Sequence, residues 1–269
     1  MRRLTLIEIT LTVALLTVFS LAGWSFTTSM VRASGDQTVQ ATFTAEAVEA
    51  LRALGAELSV AELLYREEDL GVDLDGDGDQ SSVVRGTPAG RAALAAQPAL
   101  FSTGARSLAY RVPVDADLDG DVLDDEGQVT WGVRAPDGAV AGLDLSPAQA
   151  DPDTCYVEVR FVSLGELREA ELGVDYDRDG RRTSVLERGY LERRIHVGGE
   201  VVFSRRLTGE HVLVGGALGA DLDGDGAGDP LFLQPSAASL RATLRLGAAP
   251  QAPSQTLLRS QTVELRNYR

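Results

Sequence analysis

The sequence predicts an α+β protein, with one long amino-terminal helix packed on a mainly antiparallel β-sheet head. Three observations predict it. Residues 9–30 carry no charged side chain. Residues 39–65 repeat apolar side chains at spacings of three and four. Beyond residue 66 the pattern becomes short alternating stretches separated by turns rich in Gly and Asp. The chain therefore divides into an apolar span at 1–31, an amphipathic continuation of the helix at 32–66 and an exported β-rich head at 67–269.

As a helix, the uncharged stretch from Ile9 to Met30 measures about 33 Å, enough to cross the hydrocarbon core of a bilayer. Arg2 and Arg3 stand just before it, so the positive-inside tendency leaves the amino terminus in the cytoplasm and exports the rest. A signal peptide would need a cleavage site of small residues, for which Ser20-Leu21-Ala22 is a weak match. Neither a signal peptide nor a plain anchor has a use for Glu8. A carboxylate at the membrane end of an apolar run is costly and takes a partner. Its natural partner is a positive charge at the start of a neighbouring subunit's helix.

In the continuation, Val39, Phe43, Ala47, Ala50, Leu54, Leu58, Ala61 and Tyr65 fall on one helical face. Asp36, Gln40, Glu46, Glu49 and Glu57 fall largely off it. Unbroken from Leu4 to Tyr65, this helix would measure about 90 Å, with Gly35 and Gly55 as candidate kinks. Strand patterns follow at Ser107–Val112, Val129–Val133 and Tyr156–Val162. Tyr190–Val197 and Glu200–Leu207 flank Gly198-Gly199, a pair suited to a tight two-residue hairpin turn. Leu240–Leu246 and Leu257–Leu265 complete the predicted strands, and Gly86–Gln97 reads as a loop with a short helix.

The 269 residues include 40 acidic and 25 basic side chains, a net charge of −15. Phosphate binding needs clustered Lys and Arg, so nucleic acid is not an expected partner. Divalent cations suit the balance better. Cys155 is the single cysteine; it excludes an internal disulfide and reads as a buried, inert thiol. His196 and His211 lack Cys or Glu at ligand spacing and read as ordinary strand residues. The chain has no nucleophile elbow, P-loop, zinc-ligand spacing or dinucleotide glycine motif, and it reads as a structural protein rather than an enzyme.

Four segments share an Asp-x-Asp-x-Asp core: Asp73–Asp79, Asp115–Glu126, Asp175–Gly180 and Asp221–Asp229. Carboxylates at alternate loop positions converge on one point, and Gly permits the sharp turn between them. This is calcium chemistry, since the ion takes six to eight oxygens in irregular geometry. Asp115, Asp117, Asp119, Gly120 and Glu126 fit a twelve-residue calcium loop including its last bidentate ligand. Asp221, Asp223, Asp225 and Asp229 fit positions one, three, five and nine, with Phe232 in the terminal place. The flanks read as strands and loops, which argues against a helix–loop–helix setting. The competing reading is a set of solvated acidic turns.

Leu4-Thr5-Leu6-Ile7-Glu8, followed by the uncharged span, resembles the prepilin signature of type IV pilins and pseudopilins. The resemblance implies a pilin fold, with the head on a long helical spine. It implies cleavage by a prepilin peptidase between Arg3 and Leu4, with Leu4 the mature terminus and Glu8 its fifth residue. Glu8 would then neutralise the terminal amine of an adjacent subunit during filament assembly. The sequence departs from the pattern at Arg3, where the family has Gly, and at Leu4, where Phe is usual. Gly189-Tyr190-Leu191-Glu192-Arg193-Arg194, Phe203-Ser204-Arg205-Arg206-Leu207 and Val263-Glu264-Leu265-Arg266-Asn267 look most like the larger J-type minor pseudopilins of type II secretion. The partners implied are other pseudopilins or pilins and the bacterial inner membrane, crossed once, with the head periplasmic or extracellular. Some members of the family bind structural calcium. Two further readings stand beside it: a minor pilin of a type IV pilus in adhesion or DNA uptake, and a membrane-anchored calcium-binding surface protein.

Overall fold

A computed structural model describes residues 6–67, 71, 73, 78–80, 83–85, 106–115, 119–123, 125–134, 140–141, 155–175, 181–183, 185–214, 230–236, 239–249 and 252–265. One helix, α1 (Leu6–Leu58), leads the chain. Its 53 residues measure about 80 Å. Gly35 and Gly55 both lie within it and do not break it.

The helix ends earlier than its apolar repeat suggests. Val60 and Ala61 donate to the carbonyls three residues back, at 3.3 and 3.2 Å, and this tighter winding closes the last turn. The chain then reverses into β1 (Glu62–Arg66), so Tyr65, expected on the helix, is a strand residue. The apolar period had continued through residues that are buried for another reason: Leu63 and Leu64 lie on opposite faces of a strand that is covered on both sides.

The strands that follow are β2 (Val83–Arg85), β3 (Ser107–Pro113), β4 (Trp131–Arg134), β5 (Val140–Ala141), β6 (Tyr156–Arg168), β7 (Val185–Val197), β8 (Glu200–Arg206), β9 (Val212–Val214), β10 (Phe232–Ser236), β11 (Ser239–Ala249) and β12 (Ala252–Glu264). A single helical turn, α2 (Glu169–Leu172), lies between β6 and β7. All the described strand pairs are antiparallel. The main order is β10-β11-β9-β7-β6-β3-β1-β2, with β12 beside β11, β8 beside β7, and β4 and β5 beyond β3. Strands β1, β2, β5, β9 and β10 had no counterpart in the sequence reading. Gly86–Gln97 lies outside the described residues.

The Gly198-Gly199 turn forms as its composition demands, with φ of 60° and 79°. Gly189 answers a different constraint. A β-carbon there would lie 2.0 Å from the Val162 carbonyl oxygen and 2.8 Å from the Phe161 ring, so only Gly lets β7 lie against β6 at this point.

The helix face predicted from its period is the face that packs. Phe43, Ala47, Ala50, Leu54 and Leu58 are buried against Leu108, Tyr110, Val157, Val159, Leu191 and Ile195 of the sheet. The glutamates off that face tie the helix down. Glu57 accepts from the Tyr110 hydroxyl at 2.5 Å and from Arg193 Nε at 3.1 Å. Glu46 accepts from the Gly209 amide at 2.7 Å. Burial and the Glu57 charge push the Tyr110 hydroxyl well above its ordinary pKa, so it stays a donor.

The other half of α1 projects from the head. Leu11, Leu16, Phe19, Trp24 and Met30 are all exposed, and nothing of the described chain covers this apolar window. It is long and apolar enough to cross a membrane. The hydroxyls of Thr10, Thr17, Thr27, Thr28 and Ser29 donate back to helical carbonyls at 2.8–3.0 Å. Polar groups that a bilayer could not solvate are thereby satisfied within the helix.

Candidate functional site

Three of the four acidic loops are described in part, and two of them share one local geometry. The first connects β1 to β2. In it the Gly78 amide donates to Asp73 Oδ2 at 2.9 Å. The second connects β3 to β4, where the Gly120 amide donates to Asp115 Oδ2 at 3.1 Å. In both, the carboxylate of the first loop position caps the amide of the sixth, and the sixth is a Gly with φ of 94° or 102°. A calcium loop places Asp and Gly at these positions, with Gly at the sixth for the sharp turn.

The second loop has further order. Asp119 Oδ1 accepts from the Asp121 amide at 2.9 Å, and Asp121 Oδ1 accepts from the Leu123 amide at 2.6 Å. Leu123 bridges Val129, and Thr130 donates to the Val122 carbonyl at 2.9 Å. The Val114 amide donates to the Thr130 carbonyl at 3.0 Å, so the loop is closed at its base by the hairpin that carries it. Asp115 Oδ2 is taken by Gly120, whereas its Oδ1 is buried with no hydrogen-bond partner among the described residues. A buried carboxylate oxygen left without a donor is expensive, and a cation is one group that would satisfy it.

Of the other predicted ligands, Glu126 is exposed in the turn. Asp117, Asp221, Asp223, Asp225 and Asp229 lie outside the described residues, as do Arg3 and Leu4. Glu8 is described only by its backbone place in the first turns of α1. Among the described residues no group of three or more His, Cys, Asp or Glu converges as a metal site. Asp175 begins the third loop after α2.

A second polar cluster escaped the sequence reading. Glu158 on β6 is buried beneath Arg66 of β1 and His196 of β7, with His196 Nε2 at 2.9 Å. The Tyr156 ring stacks on the imidazole at 4.4 Å between centroids. Burial opposes the Glu158 charge, but the hydrogen bond from His196 and the Arg66 guanidinium outweigh it and hold the carboxyl below its usual range. Beside it Glu62 and Arg111 form a buried pair at 3.0 Å, directly opposite in register. The signal available in the sequence was the charge on alternate residues of β6 (Glu158, Arg160) and β7 (Glu192, Arg194), which reads as a solvated face until the register is known.

His196 is therefore a strand residue as expected, though an engaged one. His211 precedes β9 in a turn, with its ring 5.3 Å from Phe43. Cys155 is buried. Comparison with known protein families, with curated proteins and with solved structures finds no match.

Proposed function

We propose that this chain is a minor pseudopilin, a structural subunit of a type II secretion pseudopilus, acting in filament initiation or at the tip. The observation that carries the reading is the two-part helix: an apolar half free of the head, with Glu8 near its start, continuous with a half built into an antiparallel sheet. On this reading the amino terminus is cytoplasmic and the head periplasmic, and the architecture is that of a pilin. Glu8 neutralises the terminal amine of a neighbouring subunit, which explains a carboxylate where a plain anchor has none. The test is Glu8→Ala, scored for co-purification with partner pseudopilins from membranes. Unchanged co-purification and secretion would end the filament role.

Calcium belongs to the same proposal as a structural cofactor of the head, held by Asp115, Asp117, Asp119 and Glu126. The Asp–Gly bond repeated in two loops and the buried oxygen of Asp115 support it. An ion that binds the folded head alone stabilises it by about 2.7 kcal/mol at a hundredfold excess over its dissociation constant. Melting of the full chain in detergent, with calcium and with chelator, measures this. Asp119→Ala with Glu126→Ala should remove most of the shift, and a midpoint unmoved by millimolar calcium would reduce the loops to acidic turns.

A further inference from the structure

Among the described residues, strand β8 has a neighbour on one side only. It pairs with β7 through Arg206, Arg205, Ser204 and Phe203 in regular register, and with no other described strand. No other described strand meets its outer edge, and an edge of this kind presents a row of backbone donors and acceptors. Exposed edges are commonly blunted by charged side chains or Pro; β8, Glu-Val-Val-Phe-Ser-Arg-Arg, has no Pro, and its charges stand at its two ends and leave Val201 to Ser204 uncharged between them. Val201 and Val202 leave apolar surface on it, 45% and 55% exposed.

Beside this edge runs a groove of about 440 Å³ between α1, β8 and the end of the β3–β4 hairpin. Ala53, Val112, Phe203 and Leu207 give it an apolar lining, and Arg134 and Arg205 are exposed along it. Glu57 and Arg193 also line it but neutralise each other at 3.1 Å. What remains is two arginines against one glutamate, Glu49. Among the described residues neither Arg134 nor Arg205 has an ion-pair partner. In a chain of net charge −15, this is a local inversion of sign beside an open strand edge.

We propose that β8 and this groove dock an extended acidic segment of a partner protein, whose backbone adds to β8 and whose carboxylates meet Arg134 and Arg205. The division of labour follows from magnitudes. Exposed ion pairs add little to affinity, so backbone pairing and apolar contact hold the segment while the arginines choose its charge. The inference rests neither on the reading of the apolar half of α1 nor on that of the acidic loops.

The test uses the full chain in detergent and two labelled synthetic peptides, one alternating valine with glutamate and its lysine counterpart, followed by fluorescence anisotropy. The acidic peptide should bind, more weakly as salt rises, and the lysine peptide should not. Arg134→Glu combined with Arg205→Glu, both exposed and tolerable to the fold, should weaken the acidic peptide by about tenfold or more and admit the lysine peptide. Amide exchange of residues 203–206 should slow when the acidic peptide is bound. Absence of acidic-peptide binding, equal binding of both peptides, an unaffected double variant or unprotected β8 amides would each overturn the proposal.

Discussion

The two halves of α1 are built from similar apolar residues and meet opposite fates. In the first, Phe19 and Trp24 are each 73% exposed. In the second, Phe43 and Leu54 are each 2% exposed. The difference lies in symmetry rather than hydrophobicity. The second half has one apolar stripe because its surroundings are one-sided, sheet beneath and water above. The first half is apolar all round, the pattern of a helix whose surroundings are the same in every direction. Nothing in the described chain supplies those surroundings, and a bilayer would fit them.

That contrast can be broken by substitution. The largest effect is expected at Phe43→Ala, which should destabilise the head by about 3–5 kcal/mol in chemical denaturation. The matched Phe19→Ala should move the same transition by less than about 0.5 kcal/mol. Equal losses would mean that the halves do not differ in their partners. Next comes Leu16→Arg, a charge within the apolar half, which carries an insertion cost of about 2.5–3.5 kcal/mol. It should shift the protein from the membrane to the soluble fraction in fractionation while the head's denaturation midpoint stays put.

A smaller effect sharpens the account of the packed half. Glu57→Ala leaves the Tyr110 hydroxyl and Arg193 without their helix partner, and about 1–2 kcal/mol of stability should go with it. Smaller still is a change in acid sensitivity. The Glu158 carboxyl sits lower in the fold than its unfolded value of 4.5, so the stability it adds is complete above that pH and is lost as pH falls through the folded value. Glu158→Gln should remove this part of the acid limb in a pH series of melts and leave the helix contacts unaffected.

The packed face of α1 was legible because its period is local: Phe43, Ala47, Ala50, Leu54 and Leu58 announce themselves within five turns. The β7–β8 hairpin was legible for the same reason, its turn residues standing between its strands. The end of α1 was not, since Ala61 and Tyr65 continue the spacing while belonging to a connection and a strand. Strands β9 and β10, of three and five residues, are too short to declare a period against their flanks. Nor could the sequence give Glu57 its partners, which stand 53 and 136 residues away and meet it only once the sheet is in register. The aspartate loops were visible as composition. Their shared Asp–Gly bond is a backbone property that composition permits without specifying.

The way α1 is held has a mechanical consequence. From Asp36 to Leu6 the helix runs about 45 Å beyond the segment clamped by Phe43, Glu46 and Glu57. It is a cantilever fixed at one end, and each degree of tilt at the clamp displaces the free tip by about 0.8 Å at that length. Glu46 and Glu57 lie eleven residues apart and bond to different parts of the head, so together they resist rolling of the rod about its long axis as well as tilting. Slack at either carboxylate is therefore magnified at the far end. The aim of the apolar half is set by side chains several turns away from it.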